Sequence, residues 1–158
     1  MLTTATAGVP VNGPAFSAYA NASQSITANT FTKVAINAEL FDTNSNFDST
    51  TNYRFTPTVE GYYQVNGTVR MSAAANSISQ TIGVLYKNGA IYARGSDTVL
   101  ITTLNISAIV GIFNEVVYMN GTTDYLELYG LISGTTTVFN FANANVTSRF
   151  SAAMVRGA

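Results

Sequence analysis

The chain has 158 residues, with seven Lys or Arg, eight Asp or Glu, and a formal net charge of -1. It has no Cys, His or Trp, which excludes disulfides, thiolate metal sites and every catalytic triad built on histidine or cysteine. Charged residues make up only 9%, against about 25% in ordinary globular proteins, so nothing offers the basic footprint that nucleic acid or an anionic membrane requires.

Residues 1–14 form an arm of small residues with Pro10 and Pro14, flexible by itself and short of core-forming side chains. Residues 15–158 form the folded head, a length that suits one domain. The arm has neither the basic start nor the apolar segment of a signal peptide, and no run of apolar residues is long enough for a spanning helix.

Helical periodicity is nearly absent. Thr, Val, Ile, Tyr and Phe dominate, and Asn-Gly turns recur at 12–13, 88–89 and 120–121, the rhythm of an all-β sandwich or barrel. PAFSAYA places Phe16 and Ala18 on one face and Tyr19 on the other. FTKVAIN, 31–37, points Thr32, Val34 and Ile36 one way. Residues 39–52, rich in Asp, Asn, Ser and Thr, read as mostly loop.

The stretch from Phe55 to Met71 carries the clearest pattern. Tyr63, Val65, Gly67, Val69 and Met71 alternate with Tyr62, Gln64, Asn66, Thr68 and Arg70, which marks a strand with two different environments. The second set is polar and almost uncharged, as suits a subunit interface. Gly67, inside this strand, marks a bulge or close packing. Gln80 to Gly95 reads as a hairpin turning at Asn88-Gly89, since both residues tolerate positive φ. A loop is expected at 96–103.

Asn105 to Phe113 and Glu115 to Met119 read as two further strands. DYLELYGLI sets Leu126 and Leu128 against Tyr125, Glu127 and Tyr129. Another loop is expected at 134–148. The final strand points Phe150, Ala152 and Met154 inward, and Ser151, Ala153 and Val155 to the other side. The count is eight to ten antiparallel strands, and a jelly roll of two packed sheets disposes of their edges.

The ordered phrases PAFSAYA, FTKVAIN, FTPTVEGYYQV, LYKNGAIY, NGTTDYLELYG and RFSAAMV resemble the globular head of complement component C-one-q and the related tumour-necrosis-factor jelly roll. FTPTVEGYYQVNG, YKNG and AAMVRGA resemble bacteriophage versions of that head, which occur in virion structural and fibre proteins. The resemblance implies a homotrimer about a threefold axis. It implies one axis-facing set: Tyr62, Gln64, Asn66, Tyr125, Glu127, Tyr129, Ala153 and Val155. The expected role is then a non-enzymatic virion structural protein, a trimeric surface knob that decorates or cements the capsid. Other virion proteins would be held through the N-terminal arm. A receptor-binding tip of a tail fibre is the alternative. Its loops 39–52, 96–103 and 134–148 would recognise a host surface glycan or protein.

Two further patterns bear on chemistry. Asp42 to Asp48 begins like a calcium loop, but Phe47 stands where a Gly and Tyr53 where a Glu are needed. It reads as an Asx-rich turn, and no cofactor or metal is expected. Asp97, Glu115, Asp124 and Glu127 are scattered in sequence and read as solvated or interface carboxylates. Five Asn-x-Ser/Thr sequons, at Asn21, Asn66, Asn105, Asn120 and Asn145, read as unmodified products of composition.

Overall fold

The computed structural model describes residues 13–100, 105–135, 139–141 and 147–158. The described residues form thirteen strands and no helix. In chain order these are β1 (Ala15–Tyr19), β2 (Gln24–Ile26), β3 (Thr32–Lys33), β4 (Ala38–Asp42), β5 (Phe47–Asp48), β6 (Arg54–Phe55) and β7 (Gly61–Ser72), followed by β8 (Ile78–Lys87), β9 (Ala90–Val99), β10 (Ala108–Met119), β11 (Leu126–Gly134), β12 (Phe139–Phe141) and β13 (Arg149–Gly157).

Every pairing is antiparallel. In the first sheet β7 is central. β10 runs along all of one side of it, while β13 and β12 share the other. β1 and then β4 continue from β13, and β2 continues from β12. The second sheet has the order β5-β6-β11-β8-β9, with β3 also beside β11.

The core lies between the sheets. Tyr63, Val65, Val69 and Met71 of β7 are fully buried, as are Leu126 and Leu128 of β11 and Phe150 of β13. Phe16 stacks on Phe47 at 4.5 Å and on Phe55 at 4.6 Å, and meets Phe150 edge-on at 5.2 Å. One aromatic cluster thus ties β1 and β13 of the first sheet to β5 and β6 of the second. Tyr63 keeps its hydroxyl satisfied by donating to the Val59 carbonyl at 2.7 Å, and burial pushes its pKa up to about 12.

Where β8 and β10 approach, two glycines make the room. A Cβ on Gly111 would lie 2.9 Å from the Gly83 nitrogen, so the sandwich closes here by backbone contact. The β8–β9 hairpin turns at Asn88 (φ 54°) and Gly89 (φ 79°), the pair of left-handed residues that a two-residue turn demands. Asn88 also accepts the Tyr125 N–H at 2.9 Å and donates to Asp124 at 2.7 Å. Lys87 pairs with the same carboxylate at 2.9 Å.

Several expectations are corrected. The segment 39–52 lies mostly outside strands, at 43–46 and 49–52, but it also carries strand: β4 pairs with β1 and β5 with β6. The expected loop 96–103 begins as strand: β9 continues to Val99 through two register shifts, and 101–104 lie outside the described residues. The expected loop 134–148 contains β12, which pairs with β7 and β2. The two strands expected at 105–119 are one, β10, held along its whole length by β7. FTKVAIN yields only two strand residues, since the Ile36 N–H turns back to the Val34 carbonyl at 2.9 Å. Residues 1–12 of the expected arm lie outside the described residues.

Candidate functional site: an apolar face of the first sheet

The outward face of the first sheet is built in rows by the register of β10, β7 and β13. Across β10, β7 and β13 the rows read Tyr118–Tyr62–Arg156, Val116–Gln64–Ala153, Asn114–Asn66–Ser151 and Ile112–Thr68–Arg149, with Val110 opposite Arg70. A period of two delivers these side chains to one side while their neighbours fill the core. Tyr62, Val110, Ile112, Val116, Tyr118 and Val155 are 38% to 49% exposed. A contiguous apolar surface of this kind on a folded chain marks an interaction site.

The face is contoured. At one end Tyr62, Val116, Val155, Arg156, Gly157 and Ala158 line a cavity of about 450 Å³. A groove of about 280 Å³ runs between Ser17, Phe41, Gln64, Asn66, Ser151 and Ala153. At the edge, the Tyr62 and Tyr118 rings meet at 5.6 Å, and the Tyr118 hydroxyl donates to Glu60. That bond to a carboxylate raises the Tyr118 pKa above its ordinary value.

The sequence-derived set of eight does not form one face. Tyr62, Gln64, Asn66, Ala153 and Val155 share this surface. Glu127 and Tyr129 lie on β11, and Tyr125 just precedes it, so all three belong to the other sheet. There Arg54 covers the Tyr125 ring at 4.6 Å. Glu127, only 4% exposed, pairs with Lys33 at 2.5 Å. Tyr129 stacks on Tyr86 at 3.8 Å, and burial pushes its pKa up to about 12. Alternation separates these three from the buried Leu126 and Leu128, but it cannot say which sheet they leave. Conversely, the β10 row was missed because AIVGIFNEVVYM is apolar on both faces.

The carboxylates at 42–48 serve the local backbone. Asp42 accepts the N–H groups of Asn44 and Phe47. Asp48 accepts those of Thr50, Thr51 and Asn52 and the Asn52 side-chain amide. The N–H groups of Thr51 and Thr50 hold the Asp48 carboxyl well below the usual carboxylate range. Among the described residues no three His, Cys, Asp or Glu side chains gather as metal ligands.

No family model and no curated protein matches this chain by sequence. Solved structures do match. Eiger TNF from S. frugiperda superposes with a TM-score of 0.64 at 9% identity, over 92% of this chain and 93% of that one. Murine APRIL superposes with a TM-score of 0.62 at 7% identity, over 91% of this chain and 100% of that one. The chain has the tumour-necrosis-factor jelly-roll fold. In this tumour-necrosis-factor-like sandwich, β10, β7, β13, β1 and β4 form one continuous outward wall, and the exposed apolar side chains concentrate on it.

Proposed function

We propose that three copies of this chain close around the outward faces of their first sheets, and that the trimer is a knob on the surface of a bacteriophage particle. There it decorates or cements the capsid, holding neighbouring virion proteins through its N-terminal arm and catalysing nothing. The observation that carries the trimer is the apolar wall of Tyr62, Val110, Ile112, Val116, Tyr118 and Val155. Its centre is apolar and aromatic, with charge confined to Arg70, Arg149 and Arg156 in the same rows, and interface centres are enriched in aromatic side chains and arginine. The fold is in keeping with such an assembly. The phage setting is supported by the phrases FTPTVEGYYQVNG, YKNG and AAMVRGA. Three attachment points on one knob would turn weak single contacts into firm binding.

Light scattering tests the assembly: the expected mass is three times 16.7 kDa, and a single-chain mass at micromolar concentration overturns it. Gold-labelled antibody on virions tests the place, with label over the capsid shell expected.

A receptor-binding tip is the second reading. The observation in its favour is the aromatic patch on the outward side of the second sheet, where Tyr86 stacks with Tyr129 and lies 6.4 Å from Phe31. Such rings suit stacking on sugars. Saturable adsorption of the isolated trimer to host cells, lost in Tyr86→Ala, would select this reading over the capsid knob.

A further inference from the structure

The charges of this chain sort into two complementary sets. Of its seven basic residues, Lys33 and Lys87 form ion pairs with Glu127 and Asp124. Arg54 and Arg94 lie over the rings of Tyr125 and Phe31. Arg70, Arg149 and Arg156 remain, and none of them takes part in an ion pair among the described residues. All eight acidic residues lie among the described residues, so no hidden carboxylate side chain of the same chain serves them.

These three arginines stand on the outward face of the first sheet: Arg70 opposite Val110, Arg149 opposite Thr68, Arg156 opposite Tyr62. The Arg149 Nε is buried without a hydrogen-bond partner. Native structures rarely leave a donor so placed unless an acceptor comes from elsewhere.

The carboxylates without a cation include three near the opposite edge, where β9 and β10 close the sandwich. Glu60 is held by the Tyr118 hydroxyl, Asp97 by the Gln80 amide at 2.7 Å, and Glu115 by the Val116 N–H at 3.2 Å. All three partners are neutral. Their levels match the arginines. The Ile112 N–H donates to Ser96 Oγ at 2.9 Å, so Asp97, the next residue, stands level with the row Ile112–Thr68–Arg149. Glu60, bonded to Tyr118, stands level with the row Tyr118–Tyr62–Arg156.

We propose that the β9–β10 edge of each copy lies on the outward face of the next, with Asp97 received by Arg70 and Arg149 and Glu60 set against Arg156. This rests on the threefold assembly proposed above. Rotation about an axis along the strands keeps every residue at its own level, so an acidic edge meets a basic face row for row. A heterologous contact of this kind closes into a ring of three when each copy is turned by a third of a revolution. A twofold pairing of the face with itself would instead bring two basic surfaces together. The charges therefore select the ring and its register, more than they add affinity.

Charge exchange tests the pairing. Arg149→Glu and Asp97→Arg, each alone, are expected to raise the concentration at which the trimer forms at least tenfold, read by light scattering across a dilution series. The doubly exchanged chain is expected to return towards the wild-type concentration. The milder pair Arg149→Gln and Asp97→Asn guards against a folding defect: the wild-type trimer should weaken as salt rises, and each neutral variant should lose most of that dependence. A wild-type trimer indifferent to the single exchanges, or exchanges whose effects simply add, overturns the pairing and leaves the trimer standing. A wild-type monomer or dimer overturns the threefold reading itself.

Discussion

The ring of Phe113 fills the place of a side chain at Gly67. The two are direct partners across β10 and β7, and a Cβ on Gly67 would lie 2.2 Å from Cε1 of that ring. Phe150, the partner of Gly67 on β13, meets Phe113 at 6.4 Å, nearly edge-on. Two aromatic rings thus cover one glycine in the middle of the twelve-residue strand β7. Gly67→Ala should destabilise the fold by about 1–3 kcal/mol, the usual cost of overpacking, seen as a lower melting temperature with an unchanged strand spectrum.

How much of this was legible in the sequence depended on contrast between faces. From Tyr62 to Arg70 polar and apolar residues alternate, and the two faces of β7 follow. Asn88-Gly89 supplied its hairpin because few other pairs tolerate the turn. β5 and β6 are two residues each, too short for any period, and their pairing is fixed by the packing of Phe47 and Phe55 around Phe16. β9 runs on through Ser96, Asp97 and Thr98, a stretch without the apolar alternation that marks a strand, because β8 holds it in register. The site was half legible for a related reason. Alternation gives inside and outside, while the sheet to which a strand belongs is decided by long-range pairing.

Lys33 and Glu127 form an enclosed ion pair, with side chains 31% and 5% exposed. Lys33 also donates to the Asn52 carbonyl at 3.2 Å. Removing the cation alone leaves a buried carboxylate without compensation. Lys33→Met should cost about 1–3 kcal/mol, and Lys33→Met with Glu127→Gln should recover part of it, since a neutral amide tolerates burial better. Urea unfolding of the wild type, the two single variants and the double variant measures the coupling.

Acid stability should depend on Asp48. Backbone N–H groups of Thr51 and Thr50 hold its folded pKa well below the ordinary value of about 3.9. Below that ordinary value the unfolded chain takes up the proton first. The stabilisation is therefore complete above about pH 4 and lost as the pH falls through the depressed folded pKa. Asp124 acts in the same sense: burial pushes its pKa up, but the Asn88 amide and Lys87 outweigh that. Asp48→Asn should flatten the acid limb of the melting-temperature curve between about pH 4 and pH 2. Solvent screening keeps the change modest.

The two sheets should answer differently to substitution. Val155 is 49% exposed beside Tyr62 and Val116 at the cavity of the first sheet, so Val155→Asp would place a charge inside the proposed subunit interface. Truncation at an interface costs more than about 1 kcal/mol only at the hot-spot minority of its residues, but an unpaired charge buried there is strongly destabilising. The variant should therefore run as a single chain in light scattering, with the wild-type circular-dichroism spectrum. Tyr129 lies on the other sheet, stacked on Tyr86. Tyr129→Ser should lower the melting temperature by the loss of that stack, worth about 0.5–1.5 kcal/mol beyond burial, while the trimer mass stays the same. A trimer mass retained by Val155→Asp, or lost in Tyr129→Ser, would move the interface away from the wall of β10, β7 and β13.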